Sequence, residues 1–102
     1  MLYITLVCAA GMSTSMLVQK MEESAEKMGF AATIKAMPES QFAEYKGQTD
    51  VLLLGPQIRF KLKQFKEIHE PKGLKVDTIE MIDYGRMNGE KVLKKAIAMS
   101  ES

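Results

Sequence analysis

The sequence contains a single cysteine, no tryptophan and almost no net charge. One cysteine excludes an internal disulfide, and nothing else in the chain points to an oxidising compartment. The 14 lysines and arginines nearly balance the 13 aspartates and glutamates, so the formal net charge is only +1. That balance gives no long-range attraction to nucleic acid or anionic lipid. The chain also lacks a basic or aromatic platform, and nucleic acid is therefore not predicted as a partner.

Long apolar runs are also missing. The apolar run at the N-terminus covers only residues 2–7, which is too short for a signal peptide and far too short to span a bilayer. We therefore expect a cytoplasmic protein with no direct membrane insertion. There is no repeat, low-complexity tract or candidate linker, so residues 1–102 are predicted to form one domain. Nothing in the sequence demands more than a monomer.

Strand-like and helix-like patterns alternate along the chain. Strands are predicted at residues 2–7, 30–36, 51–54 and 74–79, because these segments are short, apolar or β-branched. Helices are predicted at residues 13–28, 38–47, 57–69 and from Asn88 onward, with residues 80–87 as a loop. This alternation favours an α/β fold in which helices cover both faces of a four-stranded parallel sheet.

Two of the predicted helices have apolar faces that indicate which side packs on the sheet. In the first helix that face carries Leu17, Met21, Ala25 and Met28, with Gly29 as the C-cap. In the third helix it carries Ile58, Leu62, Phe65 and Ile68. Arg59, Lys63 and Lys66 share another face of that helix, either as a solvated surface or as a docking patch, and Phe60 lies off the apolar stripe.

The candidate chemistry lies in the segment that joins the first strand to the first helix. Its residues are Cys8, Ala9, Ala10, Gly11, Met12, Ser13, Thr14 and Ser15. A helix N-terminus presents unpaired backbone N–H groups and partial positive charge, which bind anions and favour ionisation of a thiol. Small side chains let a ligand approach the backbone, and hydroxyls add hydrogen bonds. We predict a phosphate-binding loop, residues 9–15, with a cysteine nucleophile at its mouth.

Parallel sheets bind ligands beyond the carboxyl ends of their strands. Cys8, Gly55 and Tyr84 each follow a predicted strand, so we expect three loops to meet at one site, with Tyr84 at its rim. No metal or cofactor is predicted. His69 comes near a helix end, where a cation complements the helix dipole, and a structural role is favoured.

A lone cysteine at a strand end is usually a small buried hydrophobe. Here, however, three hydroxyl side chains and a glycine follow within seven positions, and these residues contribute nothing to a hydrophobic core. The spacing resembles the loop of low-molecular-weight tyrosine phosphatases, in which an arginine occupies the position of Thr14. Arginine would clamp the phosphoryl oxygens and stabilise hydrolysis, whereas threonine offers one neutral hydroxyl. A phosphatase of this fold remains the alternative, with Asp83 as its candidate general acid.

A wider resemblance covers essentially the whole chain. Residues 6–15 resemble the active loop of the enzyme IIB component of the bacterial phosphoenolpyruvate-dependent sugar phosphotransferase system, lactose/cellobiose family. Residues 53–60 and 83–93 resemble two further segments of the same family. The resemblance implies a topology like that of low-molecular-weight tyrosine phosphatases, a three-layer sandwich around a four-stranded parallel sheet.

The resemblance also implies a protein-phosphohistidine–sugar phosphotransferase that works through a phosphocysteine. Cys8 would accept a phosphoryl group from a phosphohistidine of the IIA protein and give it to a sugar bound in the membrane permease IIC, on which the chain would dock. Family members serve cellobiose and related β-glucosides, diacetylchitobiose or lactose. A flavin-binding module is a third interpretation, but Tyr84 is the one aromatic residue suitably placed to flank a ring.

Overall fold

A parallel sheet forms the centre of the computed structural model, which describes residues 1–9 and 14–102. Within these ranges the sheet has four strands in the order β2–β1–β3–β4. They are β1 (Leu2–Cys8), β2 (Ala32–Pro38), β3 (Val51–Leu54) and β4 (Lys75–Thr78). Every residue of β3 is buried, as expected for a strand covered on both faces. The predicted α/β fold with a four-stranded parallel sheet is confirmed.

Helices cover both faces of this sheet. The described α-helices are α1 (Ser15–Met28), α2 (Glu39–Phe42), α3 (Leu62–His69), α4 (Met81–Gly85) and α5 (Gly89–Ser100). Two 3₁₀ helices span Pro56–Lys61 and Glu70–Lys72. None of the helices in the described ranges is long and apolar enough to cross a bilayer.

Two hydrophobic clusters, one on each face, hold the three layers together. On one face Leu17 and Met21 of α1 and Leu93 of α5 pack with Ile4 and Leu6 of β1. On the other face, Ile58 of the first 3₁₀ helix and Phe65 of α3 pack with the alternate strand residues Val7, Leu52 and Leu54. The alternation of side chains along each strand sends neighbouring residues to opposite clusters.

The end of α1 shows why β2 begins later than predicted. Gly29 adopts a left-handed conformation with φ of 66°, and the Phe30 N–H donates to the carbonyl of Ala25, which completes the predicted C-cap. Phe30 and Ala31 therefore belong to the connection, and the strand runs to Pro38 instead of Ala36. Met28 was expected on the buried face but is exposed.

The predicted helix at residues 57–69 is wrong as a single element. The 3₁₀ helix Pro56–Lys61 comes first, with Ile58 at φ −121° and ψ 23°, and α3 then begins at Leu62. Because a 3₁₀ helix has fewer residues per turn, the apolar stripe shifts in phase between the two segments. Phe65 is buried as expected, whereas Ile68 is exposed.

Two short helices also differ from the predictions. The helix after Pro38 ends at Phe42 rather than near Gly47, and the predicted loop at residues 80–87 contains α4. Asn88 is confirmed as the N-cap of the last helix, since its side-chain oxygen accepts a hydrogen bond from the Lys91 N–H at 3.1 Å.

The first residue of α5 brings that helix against α1 at very short range. Gly89 is buried, and a Cβ at this position would lie 2.5 Å from the backbone nitrogen of Met21 and would overlap the Lys20 carbonyl carbon. Backbone atoms cannot move aside as a flexible side chain does, so only glycine fits here.

We predict that Gly89→Ala lowers the free energy of unfolding by roughly 1–3 kcal/mol, because α5 must move away from α1 to admit the methyl group. Gly85→Ala is the matched control, since a Cβ on Gly85 meets nothing within 4 Å. Urea unfolding of both variants measures the difference. Equal stability of the two variants would contradict the close approach of α1 and α5.

Candidate functional site

Cys8 is the last residue of β1 and lies at the carboxyl edge of the sheet. The strand register pairs it with Pro38 at the end of β2. Its side chain is 3% exposed, so the thiol sits just below the surface. In a parallel sheet this edge is where the loops that follow each strand come together.

Two polar contacts surround the sulfur atom within the described part of the chain. The Thr14 Oγ1 lies 3.6 Å from Cys8 Sγ, and the Met37 carbonyl accepts from the thiol at 3.9 Å. Thr14 occupies the N-cap position of α1 but makes no side-chain capping bond. Its buried hydroxyl is therefore directed to the sulfur rather than to the helix backbone.

The loop after β3 also reaches Cys8. The Gly55 N–H donates to the Val7 carbonyl at 2.7 Å, which extends the strand pairing by one residue. A Cβ on Gly55 would lie 3.5 Å from the Cys8 Cβ, an ordinary van der Waals contact. The structure thus brings together two of the three loops that the sequence predicted to converge, those carrying Cys8 and Gly55.

A cleft of about 550 Å³ opens beside Cys8 and follows the outer edge of β2. Ala9, Thr14 and Ser15 line it near the cysteine, and residues 34–38 of β2 form its wall. Of the predicted phosphate-binding residues, Ala10, Gly11, Met12 and Ser13 lie outside the described residues.

Sequence reasoning missed the far end of this cleft. Lys35, Gln41 and Tyr45 line it there, and the Lys35 Nζ lies 5.6 Å from the centre of the Tyr45 ring. The β1–β2 register places Lys35 beside Thr5, and no local pattern reveals that pairing. The strand prediction for residues 30–36 gave no sign of a cleft along that strand.

Tyr84 and Asp83 lie in α4 and are not among the residues that line the described cleft. Tyr84 packs against the cluster on the α1 face, and its hydroxyl is buried without a hydrogen-bond partner in residues 1–9 and 14–102. Asp83 is also buried, with an oxygen 3.8 Å from the Lys91 Nζ. The placement of Tyr84 at the rim of a phosphate site stays a prediction.

This arrangement is suited to receiving an anion at a nucleophile. The first backbone N–H groups of α1 have no intrahelical carbonyl partners, and the helix dipole adds partial positive charge at the same end. The Thr14 hydroxyl can donate to a group attached to the sulfur. Among the described residues, the hydrogen-bond partners of Cys8 Sγ are the Thr14 hydroxyl and the Met37 carbonyl.

Comparisons with known proteins agree on one family. The family model described as "PTS system, Lactose/Cellobiose specific IIB subunit" matches residues 3–95. The galactose-specific EIIB component of Lactococcus lactis subsp. cremoris (strain MG1363) is 42% identical over 98 residues, covering 91% of each chain. The oligo-beta-mannoside-specific EIIB component of Bacillus subtilis (strain 168) is 34% identical over 96 residues, covering 94% of this chain and 93% of its own.

A solved structure agrees with these sequence matches. The solution structure of the cellobiose-specific phosphotransferase IIB component from Borrelia burgdorferi is 50% identical, with a TM-score of 0.78. The match covers 98% of this chain and 92% of that one. The topology is therefore that of IIB domains, which have the fold of low-molecular-weight phosphatases.

The chain's single histidine is not among the residues that line this cleft and lies at the end of α3, near the start of β4. The His69 ring centre is 5.3 Å from that of Phe42 and 5.5 Å from that of Phe65. Partial burial against these rings lowers the pKa of His69 below its ordinary value of 6.5, and the positive charge of Lys72 lowers it further. These contacts give His69 a packing role.

We predict that the lowered pKa of His69 makes the chain more stable as pH rises toward 6.5. Protonation of His69 is less favourable in the folded than in the unfolded chain. The contribution of the neutral imidazole to stability is therefore fully present above pH 6.5 and is lost as the pH falls through the folded-state pKa. Urea unfolding at several pH values below and above 6.5 measures how the free energy of unfolding depends on pH. The His69→Gln variant should show a weaker dependence. An NMR titration of the single imidazole giving a pKa at or above 6.5 would contradict this.

Proposed function

Because the chain belongs to the lactose/cellobiose-specific IIB family of the sugar phosphotransferase system, we propose that Cys8 is the residue that carries its phosphoryl group. The chain is a phosphotransferase that acts as a phosphoryl carrier, paired with a IIA and a IIC component. One observation supports Cys8 above all. The only cysteine of the chain lies at the mouth of a cleft, 3.6 Å from a buried hydroxyl at a helix N-terminus.

The first transfer exchanges a P–N bond for a P–S bond. The Cys8 thiolate attacks the phosphorus of the IIA phosphohistidine, and the electron pair of the broken P–N bond returns to the imidazole. The phosphoryl group then lies on Sγ, where the Thr14 hydroxyl and the N–H groups of residues 9–15 bind its oxygens. Phosphoryl transfer of this kind depends on positioning and charge neutralisation more than on acid–base groups.

The second transfer requires that water does not remove the phosphoryl group first. Thr14 supports this, because a neutral hydroxyl stabilises the charge of a hydrolytic transition state far less than an arginine would. The buried Asp83, which lines no part of the described cleft, supplies no general acid there. The alternative of a free-standing phosphatase is not favoured, and it predicts release of phosphate from an aryl phosphate.

We further propose that the acceptor is a β-linked disaccharide, cellobiose or a similar β-glucoside. A hydroxyl of the sugar held in IIC attacks phosphorus and loses its proton to a base of the permease or to water, while the P–S bond breaks and its electron pair returns to sulfur as the Cys8 thiolate. The relative from Borrelia burgdorferi, which is described as cellobiose-specific, supports this choice. The chain would act as one domain in the cytoplasm, docked on the permease during this step.

We predict that the chain gains one phosphoryl group when incubated with phosphoenolpyruvate, the general phosphotransferase proteins and a IIA component. Intact-mass spectrometry measures the gain. The Cys8→Ser variant should gain nothing, because its hydroxyl is a far weaker nucleophile than a thiolate. Adding membranes with a cellobiose-specific IIC and cellobiose should then remove the group from the wild-type chain. If the Cys8→Ser variant also gains a phosphoryl group, the assignment of the carrier role to Cys8 is wrong.

We also predict that Thr14→Val slows phosphorylation of Cys8 by about tenfold or more, since it removes a hydrogen-bond donor from a shielded anion site. Thr14→Ser is the matched control and should stay within about twofold of the wild-type rate because it keeps the hydroxyl. Rapid-mixing experiments followed by mass analysis give both rates. Equal rates for the valine and serine variants would show that the hydroxyl plays no part.

A further inference from the structure

The side chain of Gln57 folds back over the loop that lies beside Cys8. A Cβ on Gly55 would lie 2.8 Å from the Gln57 Oε1 and 3.5 Å from the Cys8 Cβ. The Gln57 carboxamide and Cys8 therefore approach the same point next to the Gly55 Cα. Gly55 is buried, and its lack of a side chain leaves the room that the carboxamide occupies.

The local sequence explains why the carboxamide lies there. Gly55 has an extended backbone, with φ −62° and ψ 154°, and Pro56 begins the 3₁₀ helix that contains Gln57. The Ile58 N–H donates to the Gly55 carbonyl at 3.0 Å, which closes the first turn. Side chains in a helix tilt toward its N-terminus, so Gln57, the second residue of this helix, leans back over Gly55.

The Gln57 carboxamide has the chemistry to bind an anion beside Cys8. It is exposed, and it forms no side-chain hydrogen bond with the described residues. A carboxamide is neutral and has two N–H donors and one acceptor oxygen. Because rotation about its last side-chain bond is loosely restricted, a half-turn brings the N–H donors to the place of Oε1.

We infer that the Gln57 carboxamide donates a hydrogen bond to the phosphoryl group carried on Cys8, an inference that rests on the proposed role of Cys8. Gln57 binds a phosphoryl oxygen from the β3 side of the cysteine, and Thr14 binds another from the α1 side. Both donors are neutral, so they orient the group without the positive charge that stabilises a hydrolytic transition state. Gln57 therefore raises the rate of transfer to the sulfur rather than the affinity for IIA.

The test is the rate of phosphoryl transfer from purified phosphorylated IIA, measured against IIA concentration by rapid quenching and intact mass. Gln57→Ala should lower the rate at saturating IIA by about tenfold, because a donor to the phosphoryl group is lost. The half-saturating IIA concentration should stay within about twofold of the wild-type value. Gln64→Ala removes an exposed carboxamide from α3 and is the matched control, which should keep the wild-type rate.

Gly55→Ala displaces the Gln57 carboxamide without removing it from the chain. The methyl group would push aside the flexible end of Gln57 but would meet Cys8 at an ordinary van der Waals distance. The φ of −62° at Gly55 also suits alanine. Gly55→Ala should therefore slow transfer about as much as Gln57→Ala, and the double variant should be no slower than either single variant. Thermal unfolding of each variant checks that the fold is intact.

Nuclear magnetic resonance of the wild-type chain gives a readout that a purely structural role would not change. The side-chain N–H signals of Gln57 are assigned by their loss in Gln57→Ala. When Cys8 is phosphorylated, these signals should move downfield, because the N–H group donates to a charged oxygen. The side-chain N–H signals of Gln64 should stay in place.

Each other result has a definite meaning. If Gln57→Ala keeps the wild-type rate, or raises only the half-saturating IIA concentration, the inference is overturned while the role of Cys8 stands. Additive slowing in the double variant, or unchanged Gln57 signals on phosphorylation, also overturns it. If Cys8→Ser is still phosphorylated, the proposed function itself fails.

Discussion

The register of β1 between its two parallel neighbours is the constraint on which the site depends. Pairing of Cys8 with Pro38 and of Val7 with Leu54 fixes the level at which the sulfur leaves the sheet. Alternation along β1 then directs Cys8 to the face covered by α1, where Thr14 lies. A slip of one residue would point the sulfur to the opposite face. Burial of β1 on both sides excludes that slip, so the core holds the sulfur of Cys8 in place.

The chemistry proposed for the site depends on the neutral side chain that lies next to the sulfur, that of Thr14. On the proposed function, the site would bind a phosphoryl group through backbone N–H groups and a hydroxyl, with little stabilisation of a hydrolytic transition state. A carrier needs such a balance, because it must hold the phosphoryl group and still release it to the next acceptor.

Sequence patterns predicted the elements well where the signal is local. The apolar run of β3, the glycine C-cap of α1 and the Asn88 N-cap all appear as expected. The errors arise where geometry depends on distant residues. The 3₁₀ turn after Pro56 shifts the phase of α3, and α4 is too short for periodicity to reveal. Lys35 enters the cleft through a strand register that no local motif encodes, and Tyr45 lines the cleft from the segment after α2.

The central claim is that the phosphoryl group is carried on Cys8, and locating that group on the phosphorylated chain tests it most directly. The chain is phosphorylated by IIA, digested at neutral pH so that a labile bond survives, and sequenced by fragmentation mass spectrometry. The account predicts one phosphoryl group, on the sulfur of Cys8. A phosphoryl group on the imidazole of His69, the other nucleophile known to carry phosphate in such relays, would contradict it.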